Sequence, residues 1–240
     1  MKDDPRTLTI DIGGTGIKMV VLDAEGEPLT ERMRELTPHP AHPEPVLAVI
    51  TAMVERIAVP FDRVSAGFPG VVVRGVVRTA PNLDTPAWAG FEFQATLEAR
   101  LQKPVRVIND ADLQGYGVIT GRGVELTLTL GTGLGAALYS DGHLVPNLEL
   151  GHHPFGDGFT YEQRIADKVA DTLSDEAFQA RVLEMLEQLQ PILNYDRLFL
   201  GGGNAKRLDP RALPDNVTLF DNVAGMEGGI RLWADNFAEA

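Results

Sequence analysis

Three glycine clusters each follow a strand-like segment: Gly13-Gly14-Thr15-Gly16, Gly131-Thr132-Gly133-Leu134-Gly135 and Gly201-Gly202-Gly203. A bound phosphate needs backbone N–H groups aimed at its oxygens, and glycine lets the backbone approach closely and take positive φ. A single cluster of this kind is more often a structural turn. Three of them, two carrying threonine hydroxyls, point to a phosphate ligand. Asp11 stands in an otherwise apolar segment immediately before the first cluster. A carboxylate there costs desolvation unless it has a partner. A hydrated Mg²⁺ beside a phosphate is one such partner, and the N–H groups of the turn itself are the alternative. Lys18 is a candidate counter-charge for phosphate.

Two other glycine-loop readings fail on context. A dinucleotide fingerprint at Gly131 requires a helix directly after the glycines. Here Ala136-Ala137-Leu138-Tyr139, followed by Asp141-Gly142, reads as a strand and a hairpin turn. No Gly-Lys-Ser/Thr sequence exists, which disfavours a P-loop. A second carboxylate of interest is Asp110, at the end of the short apolar strand 105–108, where an open α/β sheet presents its ligands. Transfer of a phosphoryl group needs an aligned acceptor and a group that takes the acceptor's proton. Asp110 is the candidate base. Asp112 competes with it but is expected to open the next helix as an N-cap-like group.

These residues need elements to hold them. Thr7–Ile12 alternates with period two, Ile17–Leu22 is a second apolar run, and a third extended segment reaches about Leu36. Pro38, Pro40, Pro43 and Pro45 form a stiff connector. A helix is expected from Pro45, with Val46, Ile50, Met53, Val54 and Ile57 on one face. Strands at 64–68 and 71–77, a helix at Phe93–Leu101 and a helix at 111–119 follow. The opening pattern then returns. Leu8-Thr9-Ile10-Asp11-Ile12-Gly13 matches Leu126-Thr127-Leu128-Thr129-Leu130-Gly131, each followed by another apolar strand and a second turn. Two such units in one chain suggest duplicated lobes. The last third reads as helices at 161–173 and 174–193, a strand from Arg197 into Gly201, and a closing helix at 225–237.

Composition narrows the function. The 240 residues carry 21 Lys and Arg against 34 Asp and Glu, a net charge of −13. That opposes a general nucleic-acid or acidic-membrane surface. No apolar run approaches the roughly 18 residues needed to span a bilayer. The charged start lacks a signal-peptide pattern, so a cytoplasmic location is expected. There is no cysteine, so disulfides and thiolate metal sites are excluded.

The motif Asp11-Ile12-Gly13-Gly14-Thr15-Gly16-Ile17-Lys18 resembles the first phosphate motif of the actin/hexokinase-like sugar kinases, in particular the ROK family. The resemblance continues through Phe68-Pro69-Gly70, Thr79-Ala80-Pro81-Asn82, Asn109-Asp110-Ala111-Asp112, Leu130-Gly131-Thr132-Gly133, Asn147-Leu148-Glu149-Leu150-Gly151-His152 and Leu200-Gly201-Gly202-Gly203. Leu36-Thr37-Pro38 and Gly75-Val76-Val77-Arg78-Thr79-Ala80 are similar to the branch of that family that takes phosphate from polyphosphate.

This resemblance implies an α/β, two-lobed actin/hexokinase-like (ribonuclease-H-like) fold with a central cleft. It implies a small lobe at 1–108 with the C-terminal helix 225–240 packed on it, and a large lobe at 109–224. The implied activity is phosphoryl transfer from polyphosphate, ATP or both to the 6-hydroxyl of glucose. Asp110 is then the base. Asn82, Asn109, Glu149, His152 and Glu162 join it as sugar ligands. Asp11, Gly13, Gly14, Thr15, Gly16, Lys18, Thr132, Gly133, Gly202 and Gly203 meet the donor between the lobes. Mg²⁺ is expected at Asp11 through water. Zinc is not expected, because the family's Cys cluster is missing; Gly151-His152-His153-Pro154 also departs from the family's Gly-His-Leu-Glu. A homodimer is usual in the family. Lys18, Arg74, Arg78, Lys206 and Arg207 are candidates for a basic strip that offsets the overall charge. The competing readings are an ATP-only kinase of another hexose, an idle sugar-binding protein and a sugar-responsive regulator. The last is opposed by the charge and by a first phosphate motif expected too early to follow a DNA-binding module.

Overall fold

The computed structural model describes residues 4–234. Those up to Gly117 and from Val223 onward form one compact unit, and Val118–Asn222 form a second.

The first unit is built on β1 (Thr7–Ile12), β2 (Ile17–Leu22) and β3 (Met33–Glu35). Helix α1 (Pro43–Glu55) leads to β4 (Arg63–Phe68). The short β5 (Val72–Val73) and β6 (Val76–Val77) come next, then α2 (Thr85–Trp88), α3 (Phe93–Leu101), β7 (Val105–Asn109) and α4 (Asp110–Val118). Its sheet order is β3-β2-β1-β4-β7, with β1 antiparallel to β2 and parallel to β4, and β4 parallel to β7. Alternation sends Leu8, Ile10 and Ile12 of β1 into the core, where Val46, Leu47, Ile50 and Met53 of α1 join them. Trp88, Phe68 and Phe93 pack in tilted and edge-on pairs in the same core, and the Trp88 indole donates to the Ala41 carbonyl at 2.7 Å.

The second unit contains β8 (Val124–Leu130), β9 (Leu134–Ser140) and β10 (His143–Val145). Helices α5 (Tyr161–Ile165), α6 (Asp167–Ala170) and α7 (Asp175–Leu193) precede β11 (Arg197–Gly201) and β12 (Val217–Leu219). The order β10-β9-β8-β11-β12, with the same succession of antiparallel and parallel pairs, repeats the first sheet strand for strand. Here Leu126, Leu128 and Leu130 enter the core, against Phe178, Val182, Met185 and Leu189 on one stripe of α7. Ser174 caps α7 by accepting the Ala177 N–H. Glu125 is fully buried at the start of this unit, where its carboxylate accepts N–H groups from Thr120, Gly121 and Arg122.

The chain returns to the first unit through α8 (Asn222–Arg231). Ser65 Oγ donates to the Gly229 carbonyl at 2.6 Å and accepts from the Trp233 indole at 2.8 Å. The guanidiniums of Arg63 and Arg106 lie 5.2 and 4.5 Å from the Trp233 ring centre. Met226 packs on Val20 and Leu22.

Several elements differ from the sequence reading. Residues 71–77 are not one strand but a hairpin: Arg74 and Gly75 both take positive φ, and Val73 pairs with Val76. Helix α1 begins at Pro43, two residues earlier than expected. The segment 161–173 is interrupted at Ala166, whose ψ of 161° is extended. The closing helix spans Asn222–Arg231; residues 235–237 of the expected helix lie outside the described residues.

Candidate functional site

Parallel pairing decides which residues share one end of the first sheet. Asp11 is level with Gly67, and Phe68 with Asn109, so the ends of β1, β4 and β7 emerge together. Residues 13–16 leave one of these ends and Asn109-Asp110 another. Gly13 donates its N–H to the Gly16 carbonyl at 3.0 Å, closing the tip. Thr37 Oγ1, from beyond β3, donates to the Gly13 carbonyl at 2.6 Å and fixes it from outside the hairpin. Asn82 lies against Gly14: a β-carbon there would meet the Asn82 carbonyl at 3.0 Å. The first unit thus brings Asp11, the tip, Lys18, Asn82, Asn109 and Asp110 to one end of one sheet.

Asp11 and Lys18 are cross-strand partners, and their side chains pair at 2.7 Å with the carboxylate nearly buried. Lys18 in turn faces Arg34 on β3. The Arg34 guanidinium crowds Gly16, with Nε 2.9 Å from where a β-carbon would sit. A second cation beside Lys18 costs repulsion across the strands. Sequence reasoning missed Arg34, because only the pairing of β2 with β3 places it beside the tip. Among the candidate strip residues, Arg207 is committed elsewhere: it donates to Asp175 Oδ1 and to the carbonyls of Ala170 and Leu173.

Asn109 caps α4. Its Oδ1 accepts the N–H groups of Ala111 and Asp112 at 2.8 and 3.2 Å, while Nδ2 donates to the Gly70 carbonyl. The expected N-cap-like role of Asp112 therefore belongs to Asn109, one residue before the helix. Asp112 falls inside the first turn and is buried. Asp110 is the first helical residue, with Oδ1 2.9 Å from the Ala111 N–H.

In the second unit, Thr129 is level with Gly201, so the tip at residues 131–133 and the Gly201-Gly202-Gly203 cluster emerge together. Gly131 donates to the Gly133 carbonyl at 3.1 Å, and its own carbonyl accepts the Asp167 N–H at 2.9 Å. The break at Ala166 is what turns the Asp167 N–H toward that carbonyl. Gly202 takes φ of 90° and runs against Leu130, whose carbonyl lies 2.3 Å from where a β-carbon would sit. Asn204 donates to Asp167 Oδ1 at 2.9 Å.

Glu162, on α5, accepts the Leu134 N–H at 3.2 Å. His152 Nε2 is 3.7 Å from Glu149 Oε2. Burial pushes the Glu149 carboxyl above its ordinary range; His152 pulls it down and Glu162 pushes it up further. The stretch after Gly151-His152 is held by stacking of Tyr161 on Phe155 at 4.6 Å, and by Arg164, which donates to the Phe155 carbonyl and covers its ring. The second unit thus gathers Thr132, Gly133, Glu149, His152 and Glu162 around one tip, with Gly202 and Gly203 at the same sheet end.

Asp11 is the residue a divalent cation would meet. Among the described residues no cluster of three His, Cys, Asp or Glu side chains is placed to hold a metal. Mg²⁺ seldom needs such a cage, since it keeps waters and is shared between one or two carboxylates and substrate phosphates. Asp11, a nearly buried carboxylate beside a glycine tip and paired with Lys18, fits that mode as a single outer partner.

Two sheets of one repeated topology, each ending in a glycine tip, define a sugar-kinase-like architecture, and the ROK family pattern matches residues 7–161. The chain belongs to the ROK family. It is 35% identical to a polyphosphate glucokinase of Mycobacterium leprae, over 93% of this chain and 73% of that protein. Among solved structures it resembles the inorganic polyphosphate/ATP-glucomannokinase of Arthrobacter sp. strain KM. The TM-score is 0.84 at 34% identity, covering 95% of this chain and 98% of that one. A ROK family glucokinase from Streptomyces griseus, solved with glucose and AMPPNP, shares the fold with a TM-score of 0.77 at 21% identity, over 95% of this chain and 98% of that one.

Proposed function

We propose that this protein is a glucokinase that transfers a phosphoryl group from polyphosphate, with ATP as a second donor, to the 6-hydroxyl of glucose. The observation that carries this reading is similarity along nearly the whole chain to proteins named for that reaction, with the glycine tips and Asn109-Asp110 in place.

Asp110 is assigned as the base that takes the 6-hydroxyl proton as the donor phosphorus is attacked. Its place at the N-terminus of α4, next to the capped turn made by Asn109, keeps the carboxylate oriented. Asn82, Asn109, Glu149, His152 and Glu162 are assigned to the sugar. Carboxylates accept and amides donate in the planar geometry that ring hydroxyls require. Asn109 retains one amide N–H for this beyond its cap and its bond to Gly70. Gly13, Gly14, Thr15, Gly16 and Lys18 of one tip, Thr132 and Gly133 of the other, and Gly202 and Gly203 are assigned to the donor.

Mg²⁺ bound with the donor phosphates would face Asp11 through water. When bound, it neutralises charge on the phosphates. Lys18, already paired with Asp11, holds that carboxylate in place and adds a positive charge beside the tip. Arg34 extends the positive charge toward the sheet edge, which suits a donor that is a long polyanion. The net charge of −13 repels such a donor at long range, so local cations must offset it.

We further propose a cytoplasmic homodimer; no described helix is long and apolar enough to cross a membrane. The test of the activity is a coupled assay of purified protein with glucose, mannose and other hexoses, each with polyphosphate or ATP. Turnover of glucose with polyphosphate supports the reading. Turnover with ATP alone removes polyphosphate from it, and no glucose 6-phosphate with either donor sinks it.

A further inference from the structure

The tip of the second unit is not open. Glu162 Oε2 accepts the Leu134 N–H, and it lies 2.5 Å from where a β-carbon on Gly133 would sit. A carboxylate therefore rests directly on the backbone assigned to the donor. Carboxylate and phosphate oxygens compete for the same N–H groups, and their charges repel. The loop's other bonds do not involve this group: Gly131 is held by Gly133 and by the Asp167 N–H. The same Glu162 also touches the residues assigned to sugar. It packs on Gly151, 3.5 Å from a β-carbon position there, and its charge reaches Glu149.

We propose that Glu162 gates the donor. Without hexose its carboxylate holds the Leu134 N–H and screens the tip with negative charge. Sugar hydroxyls donate to the carboxylate and draw it from the tip, which frees that N–H for a phosphate oxygen. Donor then binds well only after sugar, which limits transfer of phosphate to water. Every contact in this argument lies within the second unit. The inference rests on the assignment of Glu162 to sugar and of the second tip to donor. Linkage makes it quantitative: sugar tightens donor binding by the same factor by which donor tightens sugar binding, ordinarily about 5- to 150-fold.

The test is calorimetric titration of polyphosphate and of AMPPNP into wild type, Glu162→Gln and Glu162→Ala. Each titration is run with and without saturating 6-deoxyglucose, which lacks the accepting hydroxyl and so leaves the donor intact. In wild type the sugar tightens donor binding at least about fivefold. Glu162→Ala binds donor without sugar about as tightly as wild type does with it, and added sugar changes little. Glu162→Gln keeps an acceptor for Leu134 but no charge, and falls between. The proposal is overturned if the sugar-free donor affinity of both variants equals that of wild type, or if both keep the full effect of sugar. Wild type that binds 6-deoxyglucose and phosphorylates glucose but shows no coupling overturns the gate alone. Wild type that does neither overturns the kinase reading and the gate with it.

Discussion

The two hairpin tips start from one pattern and end in opposite electrostatic surroundings. Each closes on itself through an N–H of its first glycine, and each has that glycine's carbonyl fixed from outside, by Thr37 Oγ1 in one and the Asp167 N–H in the other. The first tip has four residues between paired positions 12 and 17; the second has three between 130 and 134. Asp11 and Lys18 face each other in the first, where Thr129 faces Gly135 in the second. The first tip is therefore flanked by a paired carboxylate, an ammonium and a guanidinium. The second has no charge on its own hairpin next to the tip and receives one from Glu162, about thirty residues on. The same backbone device stands in both units, in two different charge settings. Under the proposed assignments, the first tip meets a cation-bearing polyanion and the second answers to the acceptor sugar.

That division can be broken experimentally. Asp110→Asn, at the end of the sheet shared with the first tip, should lower kcat by about 10²–10⁴ with glucose binding kept. Near-normal turnover removes Asp110 from the base role. Asp11→Ala should cost about 10- to 100-fold in kcat at fixed Mg²⁺ and shift the Mg²⁺ titration, as losing an outer partner of a metal does. Thr129→Ala, at the equivalent half-buried place in the second unit, should stay within about threefold, since it removes no charge and only one hydroxyl. Equal losses at the two positions would erase the contrast between the tips.

Arg34→Ala should raise the KM for polyphosphate about fivefold, the effect of about 1 kcal/mol from one exposed ion pair. It should affect ATP less, and the difference should shrink as salt screens it. An equal effect on both donors would place Arg34 outside the path of the long chain. The smallest effect is one of pH. Burial raises the Glu149 carboxyl above its ordinary value of 4.5, so it takes up its proton at a higher pH than a free carboxylate. Glucose affinity should therefore begin to fall, on acidification, while the pH is still above 4.5. Glu149→Gln should flatten that part of the profile. An unchanged profile in Glu149→Gln assigns the pH dependence to another group.

Much of the local structure was legible in the chain. The period-two alternation of Leu8, Ile10 and Ile12, and of Leu126, Leu128 and Leu130, marked the two central strands, because every second side chain of a strand faces the same core. Ser174 marked the start of α7, because a serine at that position can satisfy a free helical N–H. The repeat of strand, glycine tip and strand was visible because it lies in contiguous residues. The identities of Asp11, Lys18 and Asp110 near strand ends could be read in the same way.

What the sequence could not carry was anything set by pairing register or by contact between distant segments. Arg34 sits sixteen residues after Lys18, and only the β2–β3 register brings it to Gly16. Periodicity alone extends a helix through 161–173, yet the bond from the Asp167 N–H to the Gly131 carbonyl favours an extended Ala166. Arg207 reads as a free cation until three acceptors surround it. The seating of Glu162 on Gly133 is of the same kind. Local preference depends on neighbours along the chain, so sequence alone determined the two central strands, the Ser174 cap and the glycine tips. Which charge faces which tip depends on neighbours in space, and only the packed sheets and helices decided that.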